Sequence, residues 1–228
     1  YFNAFRSTLN HPNIHAPEGY SKYIDPESWV DHHLLNVFLA NLDAFSLSAY
    51  LFKDQNGRIE QGPLWDFDRT AESDDHQDDN PNRWGMGNSR EFFGRSWFSL
   101  LFRDPGFWQL YIDRWQMWRD TVFSTENVER LLQQYEETLA EGASRAPFPE
   151  LRPRTQSPYF NHQLDGTFAG EFNNLKRWIR ERARFIENNF VSRAEVLLHG
   201  KVLGQTAGAI VHPATKLTLR PATQEFFD

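Results

Sequence analysis

Residues 25–68 write a helix, a hairpin and a carboxylate-bearing turn in immediate succession, and that order limits the fold more than any other feature of the chain. In "IDPESWVDHHLLNVFLANLD", Asp25 suits the N-cap, Pro26 the first helical position and Glu27 the positive end of the helix dipole. Val30, Leu34, Val37 and Phe38 form an apolar stripe at helical spacing, and the pattern ends near Asn41. "SAYLF" then reads as a strand, Asn56-Gly57 as a hairpin turn, and a second strand carries Ile59 toward Trp65. The helix leaves Asp43 at its end, and the hairpin returns the chain to "WDFD", where Asp66 and Asp68 flank Phe67 beside Trp65. Carboxylates are kept next to large apolar side chains either for chemistry or in a turn that satisfies them.

The flanks read more simply. Residues 1–24 carry turn signals, "HPN" and "APEGY", and are expected to be irregular. Residues 69–94 are polar and glycine-bearing, a long loop. Three helices follow. One starts at Asp104-Pro105 and places Phe107, Tyr111, Trp115 and Trp118 on one face. The next is capped by Ser124, carries Val128, Leu131, Leu132, Tyr135 and Leu139, and is expected to stop at Gly142. The last, from Gly170, carries Phe172, Leu175, Ile179, Ile186 and Phe190. A proline-rich loop, 146–158, separates these two, and beyond Gly200 the pattern alternates in the manner of strands. The expected class is α+β: a mostly helical lobe with a short β-hairpin and a β-rich C-terminal tail. The expected divisions are an irregular segment at 1–24, a lobe at 25–197, and at 198–228 a tail or the start of a further module.

Composition excludes several classes. Hydrophobic residues make up 39% of the chain, enough for a packed core, so a disordered chain is excluded. The net charge of −7 argues against a general nucleic-acid surface. Cysteine is absent, which removes disulfides and thiolate metal sites. No apolar run approaches the ~18 residues of a membrane span, and no signal peptide is evident. The opening "YFNAFRST", without a methionine, reads as part of a longer protein.

Other candidates have plain readings. His32 and His33 cannot face one way on a helix, so a metal pair is disfavoured and a partly exposed surface is expected. The acidic run Asp74 to Asp79 lacks the register of a calcium loop and reads as solvated. Most of the tryptophans, Trp115 and Trp118 among them, fall on helical stripes and read as core; Trp84, in the loop, does not.

The stretch "YIDPESWVDHHLLNVFLANLDAFSLSAYLFKDQNGRIEQGPLWDFDRT" resembles the spore coat protein H (CotH) kinase family of bacteria. The shared features are a helix ending in Asn-x-Asp, an aromatic strand, a Lys-Asp-x-x-Gly hairpin and a Pro-x-Trp-Asp-Phe-Asp turn. The likeness is dense over residues 23–70 and continues loosely to about residue 195. It implies an atypical protein kinase with a kinase-like fold, exported or at the cell surface. Such an enzyme would transfer phosphoryl from ATP, with Mg²⁺ or Mn²⁺, to a Ser or Thr hydroxyl of a protein substrate. By resemblance Asp43 takes the catalytic-loop role, Asp66 the metal, Asp68 assists at the metal, and Asn41 and Ser48 serve the nucleotide site. Ser48 stands where kinases place a metal-binding asparagine, and Asp68 where they place glycine. The residues before Asp25 are too few for the small β lobe that covers the nucleotide, so the chain reads as the C-terminal lobe, little active by itself, with additional modules in the same protein. The alternative is a non-catalytic exported surface module that binds metal or polysaccharide. A glycosidase fits less well, because two carboxylates on one strand face form one wall rather than flanking a sugar bond.

Overall fold

The computed structural model describes residues 1–11, 14, 19–41, 43–72, 80–84, 92–145, 167–188, 195–198, 201–204 and 218–220. The acidic run at 74–79, the proline-rich loop at 146–158, Phe190 and most of the C-terminal tail lie outside them. Among the described residues helix predominates, with one small two-stranded antiparallel sheet in the first of two units, as the α+β reading requires.

The first unit spans Tyr1–Arg182. Its central element is α2 (Pro26–Phe38). The Asp25 carboxylate accepts from the backbone N–H groups of Glu27 at 3.1 Å and Ser28 at 3.3 Å, which closes the first turn. The expected stripe is buried, and so are Trp29, His32, His33 and Asn36, so α2 is covered almost all round. That corrects the expectation of a partly exposed His32 and His33: the surrounding aromatic rings enclose both faces of the helix.

The hairpin is β1 (Leu51–Phe52) paired antiparallel with β2 (Glu60–Gln61), Leu51 opposite Gln61. Its return arm docks on the start of α2. The Asp25 N–H donates to the Ile59 carbonyl at 2.9 Å, the Trp29 indole N–H donates to the same carbonyl at 3.0 Å, and the Gln61 N–H donates to Ser28 Oγ at 3.0 Å.

Helix α4 (Pro105–Arg119) packs beside α2. It is capped by Asp104, whose carboxylate accepts from the Gly106 N–H at 2.9 Å and from the Tyr20 hydroxyl at 2.6 Å. Phe107, Tyr111 and Trp115 are buried as expected. Trp118 is not core: its indole N–H donates to Asp31 at 2.7 Å, and Arg114 pairs with that carboxylate and with Glu27.

Two expectations fail for identifiable reasons. The segment before Asp25 is not irregular at its start: α1 (Phe2–Leu9) buries Phe5 and Leu9, with Phe5 5.5 Å from Trp29 between ring centres. No side chain caps this helix, so no local signal marked its start; packing forms it. Helix α5 (Thr125–Arg145) runs through Gly142, where exposed glycine costs only about 1 kcal/mol. Side-chain pairs such as Arg130–Gln134 and Gln133–Glu137 support it. A short helix the sequence did not announce, α3 (Phe98–Leu101), sets Phe98 and Leu101 into the core.

Helix α6 (Phe168–Ile186) contributes Arg182, which has no solvent exposure. Its guanidinium donates to the Val37 carbonyl from Nε at 3.1 Å and from Nη2 at 2.7 Å. From Nη1 it donates to the carbonyls of Pro81 and Arg83 at 3.1 and 2.5 Å. Burial lowers its pKa to about 9, which leaves it charged at neutral pH. The end of α2 is thereby tied to a residue far along the chain.

The second unit, Ala183–Asp228, contains β3 (Glu195–Leu198), β4 (Lys201–Gly204) and β5 (Thr218–Arg220). They form an antiparallel sheet in the order β4-β3-β5.

Candidate functional site

The site is built where α2 ends. Past Phe38 the chain turns through Ala40, whose φ is 53°, and the Asn41 N–H donates back to the Asn36 carbonyl at 2.9 Å. Asn41 is buried. Its side-chain amide donates to the Asp66 carbonyl at 3.2 Å, and its side-chain oxygen accepts from the Asp43 N–H at 3.2 Å. One buried amide therefore brings the backbones of Asp43 and Asp66 to the same place. The Asp43 carbonyl accepts the N–H groups of Ser46, Leu47 and Ser48, which winds residues 43–48 into a tight turn. That turn delivers Ser48, also buried, to Asp66: Ser48 Oγ donates to Asp66 Oδ2 at 2.8 Å. The Trp65 indole N–H donates to the Ser48 carbonyl at 3.1 Å and fixes the opposite side of the contact.

Asp66 itself has φ 62°, a left-handed conformation that aspartate tolerates better than most residues but that is uncommon outside glycine. Asp66 and Asp68 are exposed. Asp43 is mostly covered, and Arg69 Nη1 lies 3.1 and 3.3 Å from its two carboxylate oxygens. Asn41, Asp43, Ser48 and Asp66 thus form one connected network, and Arg69 joins it through Asp43. Asp68 has no contact to the network that fixes its role.

Residues 1–186 match the family described as CotH kinase protein. The chain belongs to the CotH kinase family. No curated protein and no solved structure matches it. The family match begins at Tyr1 and ends with α6, so it takes in α1 as well as both site segments of this CotH chain.

A divalent ion is implied by the CotH kinase family, and the donor set can be tested for one. Among the described residues no group of three or more His, Cys, Asp or Glu side chains could hold a metal by itself. An octahedral Mg²⁺ with bonds of about 2.1 Å sets neighbouring ligand oxygens roughly 3 Å apart, and it uses one or two carboxylates plus water and phosphate rather than a full protein cage. Ser48 Oγ and Asp66 Oδ2, at 2.8 Å, have that separation. The spacing of the pair is that of two adjacent ligands of a divalent ion. In this CotH member the residue that sequence reasoning passed over is Arg69. The signal was in plain view, a cation directly after the Asp-Phe-Asp turn, but only the fold returns it to Asp43.

Proposed function

We propose that this lobe transfers the terminal phosphoryl group of ATP to a Ser or Thr hydroxyl of a protein, with Asp43 as the group that receives the hydroxyl proton. The observation that carries the reading is the Asn41 side chain, which bonds to Asp43 and Asp66 at once. Phosphoryl transfer asks mainly for positioning, and a buried asparagine holding both acidic residues meets that need. Ser48 and Asp66 would hold the divalent ion, with Asp68 close in sequence as a further carboxylate. The ion, when bound, neutralises charge on the phosphoryl oxygens. Asp43, covered and held by Arg69, keeps its carboxylate in one orientation for the incoming hydroxyl. Export to the cell surface belongs to the same proposal and is tested by fractionating the producing cells.

The deciding experiment follows phosphate from radiolabelled ATP into protein acceptors, with Mg²⁺ and Mn²⁺ titrated, in the full-length protein. Asp66→Ala should lower the rate by about a hundredfold or more, the scale of losing a group that acts on transition-state charge. Full activity in that variant would remove Asp66 from the metal site. A wild type inactive with every ion and acceptor would make the non-catalytic surface module the better reading.

A further inference from the structure

Every polar atom of Ser48 is committed to the site. Its N–H donates to the Asp43 carbonyl at 3.0 Å, its carbonyl accepts from the Trp65 indole at 3.1 Å, and its Oγ donates to Asp66 Oδ2 at 2.8 Å. The residue is only 3% exposed. A carboxylate without a proton only accepts, so the single hydroxyl proton lies on the Asp66 contact and Oγ has only lone pairs left to offer.

The same contact restricts Asp66. Its backbone is held by the Asn41 amide at 3.2 Å and by a left-handed turn at φ 62°. Its side chain is pinned to a hydroxyl that cannot follow it, because Ser48 is fixed on both sides. The Trp65 ring that fixes one of those sides is itself braced edge-on by Tyr50, 5.2 Å away between ring centres. A carboxylate that gives both oxygens to one ion must turn to face it squarely, and the Ser48 bond holds Asp66 to one orientation.

Divalent ions differ in how they meet such a pair. Mg²⁺ demands a near-octahedral shell, takes few protein oxygens and keeps several waters. Mn²⁺ accepts the same octahedral oxygen shell. Ca²⁺ takes roughly six to eight oxygens in flexible geometry and readily uses both oxygens of a carboxylate. Few ligands, fixed in place, favour the smaller ions.

We infer that Ser48 decides which ion this site accepts, by holding Asp66 as a one-oxygen ligand and so favouring Mg²⁺ and Mn²⁺ over Ca²⁺. The inference rests on the metal-binding part of the kinase reading and adds a residue that discriminates between ions. Trp65 is the positioning residue behind it, acting through the Ser48 carbonyl.

The test follows Mn²⁺ bound to the full-length protein by electron paramagnetic resonance and then displaces it with Ca²⁺, so that each titration gives both affinities. Wild type should hold Mn²⁺ at least about tenfold more tightly than Ca²⁺. In Ser48→Ala, Mn²⁺ should bind about tenfold more weakly, the scale of losing a partner that orients a ligating carboxylate, while Ca²⁺ stays within about twofold of wild type. Ser48→Thr keeps the hydroxyl and should keep the wild-type ratio of the two affinities. Trp65 is exposed, so Trp65→Phe opens no core, and loss of the indole N–H should lower the ratio about threefold. A folding defect weakens both ions together and leaves their ratio alone. An unchanged ratio in Ser48→Ala therefore overturns the inference. So does a ratio that falls as far in Ser48→Thr as in Ser48→Ala, or a wild type that holds Ca²⁺ as tightly as Mn²⁺. A wild type that binds neither ion, or Mn²⁺ binding that survives in Asp66→Ala, overturns the metal-binding reading itself.

Discussion

His33 and Asp66 are polar residues held by neighbours, yet they sit in opposite regimes. The His33 ring has no exposure and is ringed by aromatic side chains, with Phe98 at 4.4 Å and Phe45 stacked at 4.8 Å between centres. Its Nε2 must donate to the Phe92 carbonyl at 3.0 Å, so its Nδ1 accepts from the Tyr111 hydroxyl at 2.7 Å. Every polar atom of the ring is used, and the neutral form is enforced. Asp66 is exposed, strained at φ 62°, and its carboxylate takes a bond from Ser48. One region closes its polar groups to make a rigid wall; the other keeps oxygen lone pairs available to a ligand. The turn at residues 43–48 joins the two: Phe45 is anchored on His33 while Ser48 reaches Asp66. The precision of the open region is borrowed from the closed one.

The contrast can be broken most forcefully at His33. His33→Ala should cost about 3–5 kcal/mol, since it leaves a cavity and removes the ring that bonds the Tyr111 hydroxyl and the Phe92 carbonyl. Denaturant titration reads it, and a loss below about 1 kcal/mol would remove His33 from the core. Acid is a gentler probe of the same wall. Burial lowers the pKa of His33 to about 3 and of His32 to about 4, against 6.5 in the unfolded chain. Between those values the unfolded chain binds more protons, so stability is whole above pH 6.5 and falls as pH drops toward 4. By pH 4 the loss should reach about 3 kcal/mol from each of the two rings, and His33→Asn, which cannot titrate, should lose about half as much over that window. The smallest effect belongs to the open region. Asp66→Gly should change stability by less than about 0.5 kcal/mol, because relief of the left-handed backbone offsets the lost Ser48 bond, while the phosphoryl transfer proposed above should disappear. A large destabilisation there would mean that Asp66 is a structural turn residue.

What the sequence disclosed follows from how local each signal is. The Asp25-Pro26 cap, the Asp104-Pro105 cap and the Asn56-Gly57 hairpin rest on neighbouring residues, and each element appears where it was expected. The helix around Gly142 and the helix at Phe2–Leu9 were misread because packing and side-chain pairs outweigh one glycine or a missing cap. His32 and His33 were assigned to a surface because periodicity finds one apolar stripe and cannot show that a helix is enclosed on every side. Within the site, Asn41, Asp43, Ser48 and Asp66 could be singled out from their motifs, and the structure links them. Their chemical roles rest on the proposal above. The bonds of Arg69 to Asp43 and of Arg182 to Val37 span long stretches of chain and leave no trace in local pattern.

The clamp of Arg182 on the Val37 carbonyl also bears on time. The two residues are 145 positions apart, and the segment leading to Asn41 and Asp43 begins directly beyond Val37. A growing chain emerges from the ribosome in order, so α2, the hairpin and the Asp-Phe-Asp turn are all made well before α6 exists. Until it arrives, the end of α2 lacks its buried cation, and the segment that carries Asn41 and Asp43 has no fixed support on that side. The acidic site is therefore among the first parts of this lobe to be synthesised and among the last to be set.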